Sequence, residues 1–191
     1  MDRAAFTGSN LGLERGSVRL APSDATWAAT FDNLARELQA ALAGLAVAVE
    51  HVGSTAVPGL PAKPILDVAL GVRVGVDRDA LTNVLCSHGF LYRGEVPEED
   101  GLNLMFGLEL TPRQRVVNLH VVTHDSVRWR EYVLLRDRLR SDPKARDAYA
   151  DLKSDLARRF PNDRHAYIAG KGAFVATILA DLHMERPSSA S

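Results

Sequence analysis

The 191-residue sequence predicts a mixed α/β sheet followed by an α-helical annex, built as one cooperative unit. Three observations predict it. Two β-branched runs, LAVAVEHV at 45–52 and PILDVALGVRV at 64–74, flank a turn rich in Gly and Pro. A second pair, LNLMFGLEL at 102–110 and RVVNLHVVT at 115–123, alternates apolar and polar residues on either side of TPRQ, as an antiparallel hairpin does. Beyond residue 125 the pattern changes to helical spacing, broken at Ser141-Asp142-Pro143 and again at FPND.

The elements follow in order. Residues 1–16 are aperiodic and read as a loose tail, as do 184–191, which leaves one domain over 17–183 with a sheet portion to 124 and the annex from 125. VRLAP at 18–22 reads as a short strand ending before Pro22. Ser23 or Asp24 caps a helix whose Trp27, Phe31, Leu34, Leu38 and Leu42 recur on one side. In the strand after the turn, Ile65, Asp67 and Ala69 face one way and Leu66, Val68 and Leu70 the other. Asp77 or Asp79 starts a helix with Leu81, Val84 and Leu85, in which Cys86 reads as a buried small hydrophobe, and FLY is a short strand. If the apolar faces of the hairpin coincide, Asn103, Glu109, Asn118 and His120 share its other face. Ser126 caps the first annex helix.

Composition narrows the function. A net charge of −1 argues against nucleic acid or a membrane surface as partner, yet residues 126–171 hold twelve Lys or Arg against seven Asp or Glu. Such a basic lobe beside a neutral sheet suits a small anionic ligand. One cysteine excludes an intrachain disulfide and a thiolate zinc cluster. No apolar stretch spans a membrane and no leader precedes the domain, so cytoplasmic residence is expected.

The chemistry concentrates in VEHVGSTAVPGLPAKPILDVAL, residues 49–70. A glycine before serine at a strand exit lets backbone approach a ligand closely, and the Ser54 hydroxyl and nearby amides suit phosphate oxygens. Lys63 supplies a point charge, and inward Asp67 is a hard oxygen ligand for a metal carrying that phosphate. The same residues would also make a plain polar turn, with Ser54 as a cap and Asp67 paired to an arginine. His120 is a metal ligand, a base or a hydrogen-bonding strand residue, and His51 either joins the site or only orients the loop. In the helices Arg136, Lys153, Tyr167 and Lys171 are candidates for gripping phosphate or carboxylate, or else lie on solvated faces. There is no G-x-S-x-G elbow, Walker loop or HExxH.

The blocks EHVGSTAVPGLPAKPILDVALGV, NLHVV, WREYVLLRDRLRSDP, AYADLKSDLARRFPNDR and AYIAGKGAF closely resemble the GrpB (UPF0157) family over about residues 18–183. That family is placed in the nucleotidyltransferase superfamily, so the resemblance implies a nucleotidyltransferase-like mixed sheet with flanking helices. It implies that Gly53 and Ser54 match the superfamily's turn and Asp67 its first carboxylate. The second carboxylate would fall at Ala69, and Asn118 and His120 stand where a third is expected. Relatives commonly carry His-Leu-His there, so Asn118 departs from the family too. The expectation is an enzyme using ATP or another NTP with Mg²⁺ for nucleotidyl or phosphoryl transfer to a small polar molecule, anionic or amine-bearing. Asp67, His120 and Lys63 would be catalytic, and Asp67 and His120 would hold metal. His51, Gly53, Ser54, Arg136, Lys153, Tyr167 and Lys171 would hold the nucleotide. An ATP-dependent amide-forming ligase and a non-catalytic nucleotide- or CoA-binding module are the alternatives, and a homodimer is left open.

Overall fold

Strand pairing sets the architecture. The computed structural model describes residue 6, residues 8–98 and residues 101–184, side chains of 182–184 excepted. Its elements are β1 (Leu13–Glu14), α1 (Thr26–Ala41), β2 (Ala46–Val52), a single 3₁₀ turn (Ser54–Ala56), β3 (Leu66–Val72), α2 (Arg78–Ser87), β4 (Leu91–Glu95), β5 (Asn103–Thr111), β6 (Gln114–Thr123), α3 (Val127–Ser141), α4 (Pro143–Arg159) and α5 (Arg164–Met184). The sheet runs β2-β3-β6-β5-β4, with β1 added on β6. Among the described residues only β3 and β6 pair in parallel.

The hairpin forms as its alternation predicts. Leu104, Phe106 and Leu108 lie opposite Val121, Leu119 and Val117, so both apolar faces coincide. Its turn relies on Arg113, which sits at φ 72°. That shared face, with Leu66, Val68 and Leu70 of β3, packs on Trp27, Leu34 and Leu38 of α1 and on Leu81 and Leu85 of α2 as one buried core. The opposite face is half covered. Trp129 of α3 packs there on Val52, Ala69 and Val122, while the stretch beside Asp67 stays accessible.

The annex is held by a second apolar cluster that reaches from Val57 and Leu60 in the loop after β2 to Leu139, Tyr149 and Ile178. Helices α4 and α5 cross tightly at Gly170, where a Cβ would come within 2.4 Å of Leu156. The breaks between helices have local causes. Ser126 accepts from the Trp129 amide, Asp142 from the Lys144 and Ala145 amides with Pro143 next to it, and Asp163 from the Ala166 amide. Among the described residues no helix is long and apolar enough to cross a membrane.

Four expectations are corrected. The start of the chain is packed: Phe6, Leu11 and Leu13 are buried, the Trp27 indole donates to Asn10, and β1 pairs with β6. Residues 1–5 and 7, and 185–191 at the far end, lie outside the described residues. VRLAP forms no strand and makes a single bridge, Ala21 to Ala62, because Pro22 and the turn at Asp24, which accepts from the Thr26 amide, follow at once; the N-cap of α1 is Ala25 and not Ser23 or Asp24. Cys86 is exposed, since Leu81 and Leu85 occupy the inward side of α2.

The Asp142 cap gives a direct test. Asp142→Ala should lower unfolding free energy by about 1 kcal/mol, whereas Asp147→Ala, which removes only an exposed neighbour of Arg146, should change it by less than about 0.5 kcal/mol, both read from denaturant midpoints.

Candidate functional site

The site is built on the parallel pair. In its register Asp67 lies opposite Asn118 and Ala69 opposite His120, and across β6 the neighbours of these two are Gly107 and Met105. Alternation therefore puts Asp67, Asn118, His120 and Met105 on one side of the sheet. They line a cleft of about 360 Å³ walled by the turn at Gly53 and Ser54, by Lys63, by Tyr132 of α3 and by α5. The α5 contribution is Arg164, Tyr167, Ile168 and Lys171, spaced i, i+3, i+4 and i+7 along one helix side.

Asp67 meets Gly53 directly. Gly53 has φ 68° and ψ −168°, a backbone region essentially confined to glycine, and a Cβ there would lie 2.6 Å from Asp67 Oδ2. The glycine thus both makes the turn and lets it press on the carboxylate. Asp67 Oδ1 accepts from the Asn118 amide at 2.8 Å, Asn118 in turn accepts from Arg115 at 3.1 Å, and His120 Nε2 stands 3.8 Å from Oδ1. Enclosure alone would raise the Asp67 pKa, but the His120 contact, the Asn118 bond and the charge of Lys63 together hold it below the ordinary carboxylate value. Asp67 is ionised at neutral pH, and no arginine is paired with it among the described residues.

His120 is oriented by Tyr132, whose hydroxyl lies 2.9 Å from Nδ1. Burial pushes that hydroxyl up to about 12. The ionised Asp67 3.8 Å from Nε2 favours the proton on that nitrogen, in which tautomer Nδ1 accepts from the Tyr132 hydroxyl.

The cations sort into two groups. Lys63 and Lys171 both line the cleft beside Tyr167, their amines 5.4 and 4.8 Å from its ring centroid. Burial, then the neighbouring cations, pull Lys63 down to about 8, and burial lowers Lys171 as well. Lys153 and Arg136 lie behind the turn. Lys153 is buried to 1% exposure, its amine donating to Ser54 Oγ at 3.1 Å and to the Pro61 carbonyl. Burial, then Lys171, bring it down to about 7. Arg136 binds Glu50 and the His51 carbonyl, and Arg140 binds the Ala56 carbonyl at 2.8 Å. These side chains fasten the loop to the annex.

His51 does not join the cleft. Its register partner is Val68, so it points to the face opposite Asp67, stacks on Phe31 at 4.6 Å and meets Thr55 Oγ1 at 3.0 Å. Burial lowers it to about 4, so it is a neutral residue supporting the loop. Of the sequence candidates, the cleft unites Gly53, Ser54, Lys63, Asp67, His120, Tyr167 and Lys171, and leaves His51, Arg136 and Lys153 as supports. Sequence reasoning missed Tyr132 and Arg164, although Arg164 continues the helical stripe of Tyr167 and Lys171.

The residues fit one metal ion and not two. Among the described residues no three His, Cys, Asp or Glu side chains converge. Asp67 Oδ1 already accepts one hydrogen bond, and the lone pairs that remain belong to a single carboxylate. One carboxylate plus ligand phosphates is a familiar setting for Mg²⁺, whereas imidazole is a poor ligand for it.

A mixed sheet with this carboxylate-and-turn cleft and a helical annex has the nucleotidyltransferase fold. Residues 17–181 match the GrpB protein family, and the chain belongs to it. It is 38% identical over 162 residues to a UPF0157 protein of Pseudomonas aeruginosa, covering 85% of this chain and 66% of that one. It is 30% identical over 173 residues to the glutamate-rich protein GrpB of Alkalihalophilus pseudofirmus, covering 90% and 99%. A dephospho-CoA kinase of Mycolicibacterium paratuberculosis is 28% identical over 180 residues, and the match spans 44% of its length. The crystal structure of conserved protein GrpB from Enterococcus faecalis superposes with a TM-score of 0.77 at 27% identity, covering 87% of this chain and 98% of that one. The Cid1 poly(U) polymerase with Mg 3′-dATP bound superposes at 0.51 and 13% identity, covering 79% and 49%, a likeness of fold.

Two outcomes are expected. Gly53→Ala should cost about 3 kcal/mol, from the disallowed backbone plus the overlap with Asp67, against about 1 kcal/mol for Gly59→Ala, where φ is also positive but the space is open; chemical denaturation decides. His51 has a depressed folded pKa, so its unfolded form takes up the proton first. Stability is retained above pH 6.5 and falls as pH drops from 6.5 toward 4, by up to about 3 kcal/mol. His51→Gln should flatten that part of a pH series of denaturant midpoints.

Proposed function

We propose that this protein is a nucleotide-dependent transferase that moves a nucleotidyl or phosphoryl group from ATP or another NTP to a small polar acceptor. One observation carries the reading: the Gly53-Ser54 turn, ionised Asp67 and the cleft-facing cations Lys63, Lys171 and Arg164 all open onto the same hollow. Phosphoryl and nucleotidyl chemistry depends on positioning and charge neutralisation, and this is what such a set supplies.

In this reading the phosphates lie over the Ser54 turn, with the Ser54 hydroxyl fixed by Lys153 and so turned into a constant feature of the wall. Lys63 and Lys171 neutralise charge on the phosphate oxygens, and Tyr167 beside them keeps both amines directed into the cleft. Asp67, kept in place by Asn118, would hold a single Mg²⁺. That ion, when bound, supplies further charge neutralisation on the phosphates. His120 holds or moves a proton at Nε2 beside the acceptor, its ring fixed by Tyr132. An acceptor bearing a hydroxyl, carboxylate or amine enters from the open side next to α5. An amide-forming ligase would use the same wall with a carboxylate, which takes the phosphoryl or nucleotidyl group, and an amine, which then displaces it.

A second reading is favoured by Ala69 and Asn118, which stand where further carboxylates are expected: a nucleotide- or CoA-binding module without turnover. The likeness to a dephospho-CoA kinase supports it as well. Asp67→Asn distinguishes the two, because the amide keeps the bond with Asn118 but not the charge. For the transferase, ATP with Mg²⁺ at about ten times its Kd should raise Tm by about 3–5 °C in the wild type and by less than 1 °C in Asp67→Asn. Equal shifts in both proteins, with no turnover, would establish the binding module. No shift in the wild type with any nucleotide would remove both readings.

A further inference from the structure

On the far side of Lys63 from the cleft lies a second, smaller hollow of about 100 Å³, the size of a single tetrahedral anion. Its walls carry Arg15, Lys63, Arg115 and Arg164. The acid beside them, Glu14, has 71% side-chain exposure and leans on Arg113 at 3.7 Å. Behind Arg115 stands Arg93, which binds Glu109 at 2.6 Å, and the same carboxylate lies 3.7 Å from Arg15. Glu109 is thus shared between two arginines. Arg164 has no hydrogen-bonded or ion-paired partner among the described residues.

The Nε atoms of Arg93 and Arg115 are both buried and without a hydrogen-bond partner among the described residues, 3.5 and 3.6 Å from where a Gly107 Cβ would be. Of these two arginines Arg115 lines the hollow, beside Arg15 and Arg164, and guanidinium groups are shaped to receive phosphate. Lys63, Ile65 and Arg164 line both this hollow and the main cleft, so the two are adjoining compartments.

We propose that this hollow is a second anion subsite, which takes a phosphate group carried by the ligand whose body lies in the Ser54 cleft. The substrate class is therefore a nucleotide-like molecule with a phosphate apart from the one over Ser54. This part rests on the nucleotide reading above, while the anion subsite itself does not. Arg115 also gives the subsite a link to Asp67, through its bond to Asn118.

The test has two arms. In the first, sodium phosphate is titrated against sodium chloride of equal ionic strength, with Tm read for wild type, Arg15→Gln and Arg164→Gln; the chloride baselines report whether each variant is folded. Phosphate should raise the wild-type Tm by about 2–4 °C beyond chloride, and both substitutions should remove at least half of that rise. No response beyond chloride, or the same response in all three proteins, overturns the subsite. In the second arm, calorimetry compares adenosine 3′,5′-bisphosphate with AMP. The bisphosphate should bind at least about tenfold more tightly to wild type, as charge-assisted bonds to a second phosphate predict, with the ratio falling near one in Arg15→Gln. Equal binding in the wild type overturns the attached-phosphate assignment. Failure of both nucleotides to bind, with the phosphate response intact, defeats the nucleotide reading and leaves the subsite standing.

Discussion

The amine of Lys153 is the interaction on which the arrangement turns. It is a buried cation on α4 that reaches back across the molecule to Ser54 Oγ and the Pro61 carbonyl. It adds to the apolar contacts at Val57 and Leu60, which are non-directional, a directional hold on the half of the loop that Arg136 and Arg140 do not reach. Hydrogen bonds to two points of the loop fix its height above the sheet. The cation stays there at a cost, since burial and Lys171 bring it down to about 7, so it is close to giving up its proton at neutral pH. Arg136 and Arg140 repeat the device at the two ends of the turn. Lys153, Arg136 and Arg140 thus hold the loop from α3 and α4, while Arg164 and Lys171 on α5 line the cleft.

This division explains how far the site was legible in the sequence. Alternation in 102–110 and 115–123 placed Asn118 and His120 on a common face, and alternation in 65–70 placed Asp67 apart from the core. That much follows from period two. What alternation cannot supply is register between strands distant in the chain. The parallel alignment of β3 with β6 decides that Asp67 lies opposite Asn118, and the antiparallel alignment of β2 with β3 decides that His51 points away. His51 was grouped with the site by its closeness in sequence to Gly53, and one residue of strand reverses its direction.

The helical candidates show the same limit. A stripe at 164, 167, 168 and 171 is readable on a helical wheel, but Lys153 and Arg136 look no different from the solvated lysines and arginines around them. Burial of a long charged side chain depends on what covers it, here a loop nearly a hundred residues earlier. The packed start of the chain was hidden for a related reason: Phe6, Leu11 and Leu13 follow no period, because they fill separate gaps around the core instead of forming one helix or strand face. Cys86 errs in the other direction, an apolar-looking residue that helical spacing puts on the outer side.

The parallel pairing of the two central strands also governs when a binding site can exist. Its floor joins residue 67 to residues 118 and 120, and its far wall is not complete until residue 171 has been made. The serine turn comes early in the chain, yet the hollow it borders is not enclosed until α5 has docked. Strands β2 and β3 form a local antiparallel pair, whereas the floor of the hollow depends on the non-local pairing of β3 with β6, the slower kind of contact to form.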